Sequence, residues 1–218
     1  MAGMALLDVL DADQRRRLLA AARMRRFARQ EVLFHEDDPA DSLHVLTRGR
    51  VAVQVQSDLG APVTVDVIGV GDILGELALL TPNARRAATA IALEPTETMV
   101  LTAVQFESLR AMHREVEAML VAILVERTRR QSARLVEALT VSASRRVLRR
   151  LVELCALYAP GEDEVVVPLT QDHLAGLAGT TRETVNRTLR QEAERGAVVV
   201  GRGRVTVRSR AELAGRSH

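Results

Sequence analysis

Gly71-Asp72-Ile73-Leu74-Gly75-Glu76-Leu77-Ala78-Leu79-Leu80-Thr81-Pro82-Asn83-Ala84-Arg85-Arg86-Ala87-Ala88-Thr89 is the stretch around which the rest of the chain is arranged. Two glycines bracket a short apolar segment, a carboxylate follows at Glu76, and arginine returns ten positions later among small residues. Arginine can grip an anion through two parallel hydrogen bonds. N–H groups opening a turn at Glu76-Leu77-Ala78 add donors aimed at the same anion. A carboxylate accepts hydrogen bonds from hydroxyl groups. Gly75, Glu76, Leu77, Ala78 and Arg86 therefore suit a small anionic ligand that also carries hydroxyls. The plain alternative is a structural Glu76–Arg86 ion pair.

Short alternating segments lie on both sides of this stretch. Val32-Leu33-Phe34, Ser42 to Leu46, Val51 to Val55 and Val63 to Ile68 precede it, with a hairpin signal at Asp58-Leu59-Gly60. Thr89 to Leu93 and Glu97 to Leu101 follow it. Strands at this spacing, separated by Gly, Pro and Asp turns, predict an antiparallel roll or barrel. Before them, Asp8 to Met24 reads as one or two short helices, with Arg15, Arg16, Arg17, Arg23, Arg25 and Arg26 as solvated positions.

Beyond the strands the period changes. Ala103 to Leu109 turns helical, and Arg114 to Leu139 reads as one helix of about 40 Å at ~1.5 Å per residue. Val116, Met119, Leu120, Ile123, Leu124, Leu135, Val136 and Leu139 are assigned to one side of it. That is more apolar stripe than a small barrel can cover, so a seam against a second copy is expected. The seam turns polar at Arg127, Thr128, Gln131 and Ser132, where register or a ligand would supply the reason. After a break at Val141-Ser142-Ala143, Ser144 is the expected cap of a helix reaching Tyr158, and Val165-Val166-Val167 reads as a strand.

Gln171 to Arg190 has the layout of a helix-turn-helix. Such a motif needs a small residue where the helices cross, a turn glycine, and a buried branched residue on the second helix. Ala175, Gly179 and Val185 stand at those offsets. Thr170, and Thr180 or Thr181, fit as N-caps. Thr188 sits where such motifs carry an apolar residue. Arg182, Asn186 and Arg190 form one outward row, with Glu183 and Arg187 beside it. Arginine donates twice to guanine and a carboxylate accepts from the cytosine amine, so Arg182, Glu183 and Arg187 are the expected base readers. Thr181 and Thr184 are placed for phosphate. A bare amphipathic helix with a Glu183–Arg187 pair is the alternative. Ala197 to Val200 and Arg204 to Val207 flank Gly201-Arg202-Gly203, a two-stranded wing with Arg202 at its tip.

Composition narrows the classes. The 218 residues are 47% apolar but only 2% aromatic, so the core must rest on aliphatic side chains. All 30 basic residues are arginine. Residues 140–218 hold 13 arginines against 9 acids, net +4, whereas residues 1–112 are net −3. The C-terminal part is thus the expected dock for a polyanion. Cys155 is the single cysteine, which excludes an intrachain disulfide and a cysteine-ligated cluster. No metal site and no haem ligand set is expected, and His35, His44, His113 and His173 read as structural or solvent-facing. No run of apolar residues reaches membrane-spanning length, and the start of the chain lacks a secretory pattern, so a cytoplasmic protein without membrane contact is expected. No nucleophile–base pair or P-loop is present, so an enzyme is not expected.

Together these motifs resemble the catabolite-activator and FNR superfamily of bacterial regulators over nearly the whole length. Gly75-Glu76-Leu77-Ala78-Leu79 with Arg86-Ala87-Ala88-Thr89 resembles the phosphate-binding cassette of cyclic-nucleotide-binding domains. Arg182-Glu183-Thr184-Val185 with Arg187 resembles the recognition helix of cyclic AMP receptors. The resemblance implies an α+β fold: a β-roll over residues 1–112, a dimerisation helix over 113–140 and a winged helix-turn-helix over 141–218. It implies cyclic AMP as allosteric ligand, with Arg86 on the phosphate and Glu76 on the ribose hydroxyl. Ala87 replaces a hydroxyl residue of the bacterial receptors, as in regulatory subunits of cyclic AMP-dependent protein kinase. Gln131 and Ser132 match two hydroxyl residues that meet the adenine across the dimer. For DNA it implies contacts from Thr170, Gln171, Thr181, Arg182, Glu183, Thr184, Asn186, Arg187 and Arg202. The implied partners are double-stranded DNA with a palindromic TGTGA-like operator, a second copy of the chain, and RNA polymerase. An orphan regulator that works without ligand or senses another nucleotide is the alternative, and a nucleotide-binding module acting on a protein partner is a remoter one.

Overall fold

The computed structural model describes residues 13, 16, 22–57, 60–80 and 85–217. They fall into two compact units: residues 1–62 with 66–129, and residues 63–65 with 130–218.

The first unit is built on two four-stranded sheets. One has the order β1-β8-β3-β6, from β1 (Arg23–Phe27), β8 (Thr96–Thr102), β3 (Ser42–Arg48) and β6 (Ile73–Leu74). The other has the order β2-β7-β4-β5, from β2 (Val32–Phe34), β7 (Thr89–Ala92), β4 (Val51–Gln56) and β5 (Pro62–Ile68). Within the first, β1 and β3 both pair antiparallel with β8, and β6 pairs antiparallel with β3. Phe27, Leu33, Leu46, Val51, Ile68, Leu74, Ala90 and Ala92 fill one apolar core of the roll. At the turn before β4, Gly49 has φ +83°, and a Cβ there would lie 2.5 Å from Thr96 Oγ1 and 2.7 Å from the Pro95 carbonyl. Only glycine fits that close approach.

The six expected strands form where the alternation placed them, and two further strands, β1 and β6, lie outside it. Asp8 to Met24 lies largely outside the described residues, of which Asp13 and Arg16 are helical. Arg23 and Met24, however, belong to β1, not to a helix. Four of the five β1 residues are exposed. An edge strand held by backbone pairing to β8 needs no apolar alternation, so its sequence gives no strand signal. β6 has only two residues, too few to show a period.

Helix α1 (Glu76–Leu79) is a single turn. Helix α2 (Ala103–Met112) starts at a capping box, in which the Thr102 hydroxyl accepts from the Gln105 N–H and the Gln105 side chain accepts from the Thr102 N–H. Helix α3 (Arg114–Thr140) has 27 residues. Its Val116, Met119, Leu120 and Ile123 join Phe106 and Leu109 of α2 and Leu43, Val45, Met99 and Leu101 in a second core. Leu135, Val136 and Leu139, expected on the same side, are instead exposed, as are Val121 and Val125. The apolar residues of α3 therefore divide between two faces.

The second unit contains α4 (Ala143–Tyr158), β9 (Val165–Val167), α5 (Gln171–Ala178), α6 (Arg182–Glu194), β10 (Val198–Gly201), β11 (Arg204–Val207) and α7 (Arg210–Arg216). The cap of α4 is Ser142, whose side chain makes no capping bond; Ser144, expected as the cap, is already inside the helix. Its hydroxyl is hydrogen-bonded instead to Thr188 Oγ1 at 3.1 Å. The wing is three-stranded rather than two-stranded, because β9 pairs with β11 on the side opposite β10. Glu137, near the end of α3, receives Arg149 at 2.9 Å and Arg150 at 2.7 Å from α4.

Candidate ligand pocket and nucleic-acid interface

The turn into the cassette is built by backbone bonds. Gly71 has φ +88°, its N–H donates to the Leu46 carbonyl at 2.9 Å, and the Asp72 carboxylate accepts from the Gly69 N–H at 3.1 Å. Gly75, at φ 84°, precedes α1. A Cβ on Gly75 would strike Arg86 Nη1 and lie 3.0 Å from the Ser42 carbonyl. The glycine is thus required by the passage of the arginine.

Glu76 and Arg86 are both buried, at 2% and 3% exposure. They are not ion-paired with each other among the described residues. Glu76 pairs with Arg127 of α3, whose second nitrogen donates to the Ile73 carbonyl at 2.7 Å. Burial pushes the Glu76 carboxyl up, against the opposing pull of Arg127. Arg86 donates from Nη1 to the Ser42 carbonyl at 2.7 Å and the Gly75 carbonyl at 3.5 Å. Its Nη2 donates to Asp41 Oδ1 and Ser42 Oγ, both at 3.1 Å. The guanidinium lies over the Phe34 ring at 4.3 Å, and Nε is buried without a partner among the described residues. Burial lowers the Arg86 pKa, with Asp41 the largest opposing influence. Neighbouring Arg85 is exposed and donates to the Asp37 carbonyl. The cassette thus presents two buried opposite charges, each satisfied by a residue some 45 or 51 positions away.

Leu77 and Ala87 are exposed, and Ala78 lies within α1. Gln131 and Ser132 are exposed residues of α3 in the second unit. Sequence reasoning placed Arg127 only in the polar break of α3 and gave no role to Asp41, Ser42 or Phe34. No local signal connects those residues to the cassette.

His44 lies beneath this site, 1% exposed, bonded to Thr98 Oγ1 at 3.1 Å and flanked by the rings of Phe27 and Phe34. Burial, then the charges of Arg86 and Arg25, push its pKa down to about 4, while Asp41 pulls it upward. The unfolded chain takes up this proton near pH 6.5, whereas the fold refuses it until about pH 4. Stability is therefore full above pH 6.5 and falls as pH drops toward 4, by about 3 kcal/mol at ~1.4 kcal/mol per pH unit. His44→Gln is expected to flatten that slope in urea titrations across this window.

In the second unit, the Thr170 hydroxyl accepts from the His173 N–H and caps α5. Gly179 adopts the left-handed conformation, φ 58°, that ends the helix. Of the two threonines offered as the next cap, it is Thr181 that accepts from the Thr184 N–H at 3.3 Å and starts α6. Ala175, Val185 and Leu189 are buried as the motif requires. Thr188 is buried too, and its hydroxyl is satisfied by the Thr184 carbonyl at 2.8 Å and by Ser144. Arg146 of α4 gathers carbonyls from the end of α3 (Val141, 2.7 Å) and from the turn after α5 (Ala178, 2.8 Å; Gly179, 2.9 Å).

Arg182, Glu183, Arg187 and Arg190 are exposed on α6. No ion pair joins Glu183 to Arg187 among the described residues, so both are available to a groove. Arg182 and Asn186 lean toward the first turn of α5: Arg182 meets Asp172 at 3.4 Å, and Asn186 donates to Gln171 at 3.2 Å. Arg202 is exposed at the wing tip beside Gly203, φ 68°. Cys155 is buried, and burial pushes its thiol up to about 11. No group of three or more potential metal ligands occurs among the described residues. No helix among them is long and apolar enough to cross a membrane.

The model of the cyclic nucleotide-binding domain matches residues 24–113, and that of the Crp-like helix-turn-helix domain matches residues 145–216. The cyclic AMP receptor protein of Thermus thermophilus is 33% identical over 184 residues, 83% of this chain and 82% of that protein. The chain belongs to the Crp-like regulator superfamily. As a member it is a transcriptional regulator with a cyclic nucleotide-binding domain and a helix-turn-helix domain that indicates DNA binding. The CRP-like cAMP-activated global transcriptional regulator of Mycobacterium tuberculosis is 28% identical over 173 residues, covering 78% of this chain and 77% of that one. The crystal structure of the Thermus thermophilus catabolite activator protein superposes with a TM-score of 0.55 at 29% identity, covering 98% of both chains.

Proposed function

We propose that the chain is a homodimeric regulator that binds cyclic AMP in its first unit and a palindromic TGTGA-like operator through α6, in the cytoplasm and together with RNA polymerase. Residues 1–112 act as sensor, 113–140 as dimerisation helix and 141–218 as DNA-binding domain. The observation that carries this reading is the burial of Glu76, on the turn opened by Gly75, and of Arg86, whose guanidinium passes against that glycine. A ribose hydroxyl suits the carboxylate and a phosphodiester suits the guanidinium. Gly75, Leu77 and Ala78 form the turn, Ala87 leaves room for the phosphate, and Gln131 and Ser132 of the second copy receive the base across the dimer. Thr170, Gln171, Thr181 and Thr184 hold DNA phosphates, Arg182, Glu183, Asn186 and Arg187 face bases, and Arg202 touches the backbone at the wing.

Calorimetric titration of the full-length protein with cyclic AMP and cyclic GMP tests the sensor. Saturable heat with cyclic AMP is expected, and heat with neither nucleotide removes the ligand. A second reading, regulation without ligand, draws support from one observation: Arg127 and Asp41 already satisfy both buried charges. Gel shifts on selected operator DNA separate the two, because equal retention with and without cyclic AMP selects the second.

A further inference from the structure

Two polar side chains of the second unit meet between α5 and α6 in a way that base contacts by arginine alone do not require. Gln171 is the first residue of α5, placed by the Thr170 cap. Asn186 is on the second turn of α6, placed by the Thr181 cap. Asn186 Nδ2 donates to Gln171 Oε1 at 3.2 Å, and both side chains are half-buried. Asn186 stands four residues beyond Arg182 and three beyond Glu183, on the shoulder of the exposed face nearest α5. We propose that these two residues form one base-reading unit, in which Gln171 holds the Asn186 carboxamide so that it reads an adenine in each half-site. The proposal rests on the reading of α6 as the major-groove helix.

The chemistry follows from counting donors. A carboxamide has two N–H groups and one carbonyl oxygen. In the proposed unit the bond to Gln171 uses the N–H remote from Oδ1 and leaves the other beside Oδ1. Adenine presents an acceptor at N7 and a donor at N6 in the major groove, the complement of that free pair. Guanine presents two acceptors, so its O6 would oppose Oδ1. A free asparagine could turn its amide over and offer N–H to guanine, but here that flip would set Oδ1 against the Gln171 carbonyl oxygen unless the Gln171 amide turned with it, which would take the Gln171 NH2 group off the phosphate it holds in the complex. Gln171 thus converts an ambiguous amide into a directional one and removes rotamer freedom that binding would otherwise have to remove. It keeps its own NH2 group for a phosphate. Gln171 is a positioning residue, and Asn186 is the group that touches the base.

The test is site selection from a random DNA library by full-length protein, with and without cyclic AMP, followed by gel shifts on half-site variants. Wild type is expected to favour adenine at one position per half-site by about 10-fold or more. Asn186→Ala should lose that preference and leave every other position unchanged. Gln171→Ala should admit guanine there, because the amide is released. Gln171→Glu retains the acceptor and should retain the preference, while the added carboxylate weakens binding to all sequences alike. Thermal melts confirm that each variant is folded. Unchanged base preferences in Asn186→Ala overturn the proposal while leaving the DNA-binding reading intact. A Gln171→Ala profile identical to wild type overturns the positioning role. Failure of wild type to select any sequence in either condition removes the DNA-binding reading, and this proposal with it.

Discussion

Arg86→Gln is expected to weaken cyclic AMP binding by about 30-fold to several thousand-fold, the range that loss of one partner from a buried charge pair produces. The guanidinium is almost wholly removed from water and stacked over Phe34. A phosphodiester entering this site sheds its own hydration and needs a compensating cation at short range. Glutamine preserves much of the volume and can still donate to the Ser42 carbonyl, so the roll should persist and a thermal melt can confirm it. Arg86→Lys is expected to recover only part of the affinity, because an ammonium neither stacks on Phe34 as a plane nor donates twice in parallel. Arg85→Gln provides the comparison: Arg85 is exposed, and its loss should change affinity little. Titrations in which Arg86→Gln matches wild type would sink the cassette assignment.

What could be read in the chain beforehand depended on how local each signal was. The helix-turn-helix was fully legible because Thr170, Ala175, Gly179, Thr181 and Val185 act within one supersecondary unit. The strands that bury one face were legible from alternation, whereas β1 was not, since its arginines face water on an edge. Glu76 and Arg86 could be picked out by their spacing from one another. Their counter-charges could not: Asp41 and Arg127 arrive from β3's approach and from α3 only through the three-dimensional fold. The long helix shows a third kind of limit. Periodicity reported that it was apolar, but one stripe was inferred where two exist, because the helix serves a core on one face and remains open on another.

That open face sets the second large effect. Leu135→Glu combined with Leu139→Glu is expected to convert the protein to a monomer and to weaken binding to a full palindrome by about 100- to 10,000-fold, the gain that linking two half-site readers supplies. Val121, Val125, Thr128, Ser132, Leu135 and Leu139 follow one another at alternating steps of four and three, the spacing of a coiled-coil seam. Leu135 is 63% exposed and Leu139 79% exposed in the single chain. Replacing them therefore removes little packing within a subunit, and the change in folding stability should stay within ~0.5 kcal/mol, as for other exposed positions. In a parallel seam the same substitutions bring like charges together across the two-fold axis. Sedimentation velocity reports the mass, and gel shifts on single and paired half-sites report the coupling. Monomeric variants should bind an isolated half-site as wild type does and lose only the advantage of the palindrome. If the variants stay dimeric, the seam lies elsewhere, and the polar residues Thr128 and Ser132 cannot owe their place on α3 to a meeting between subunits.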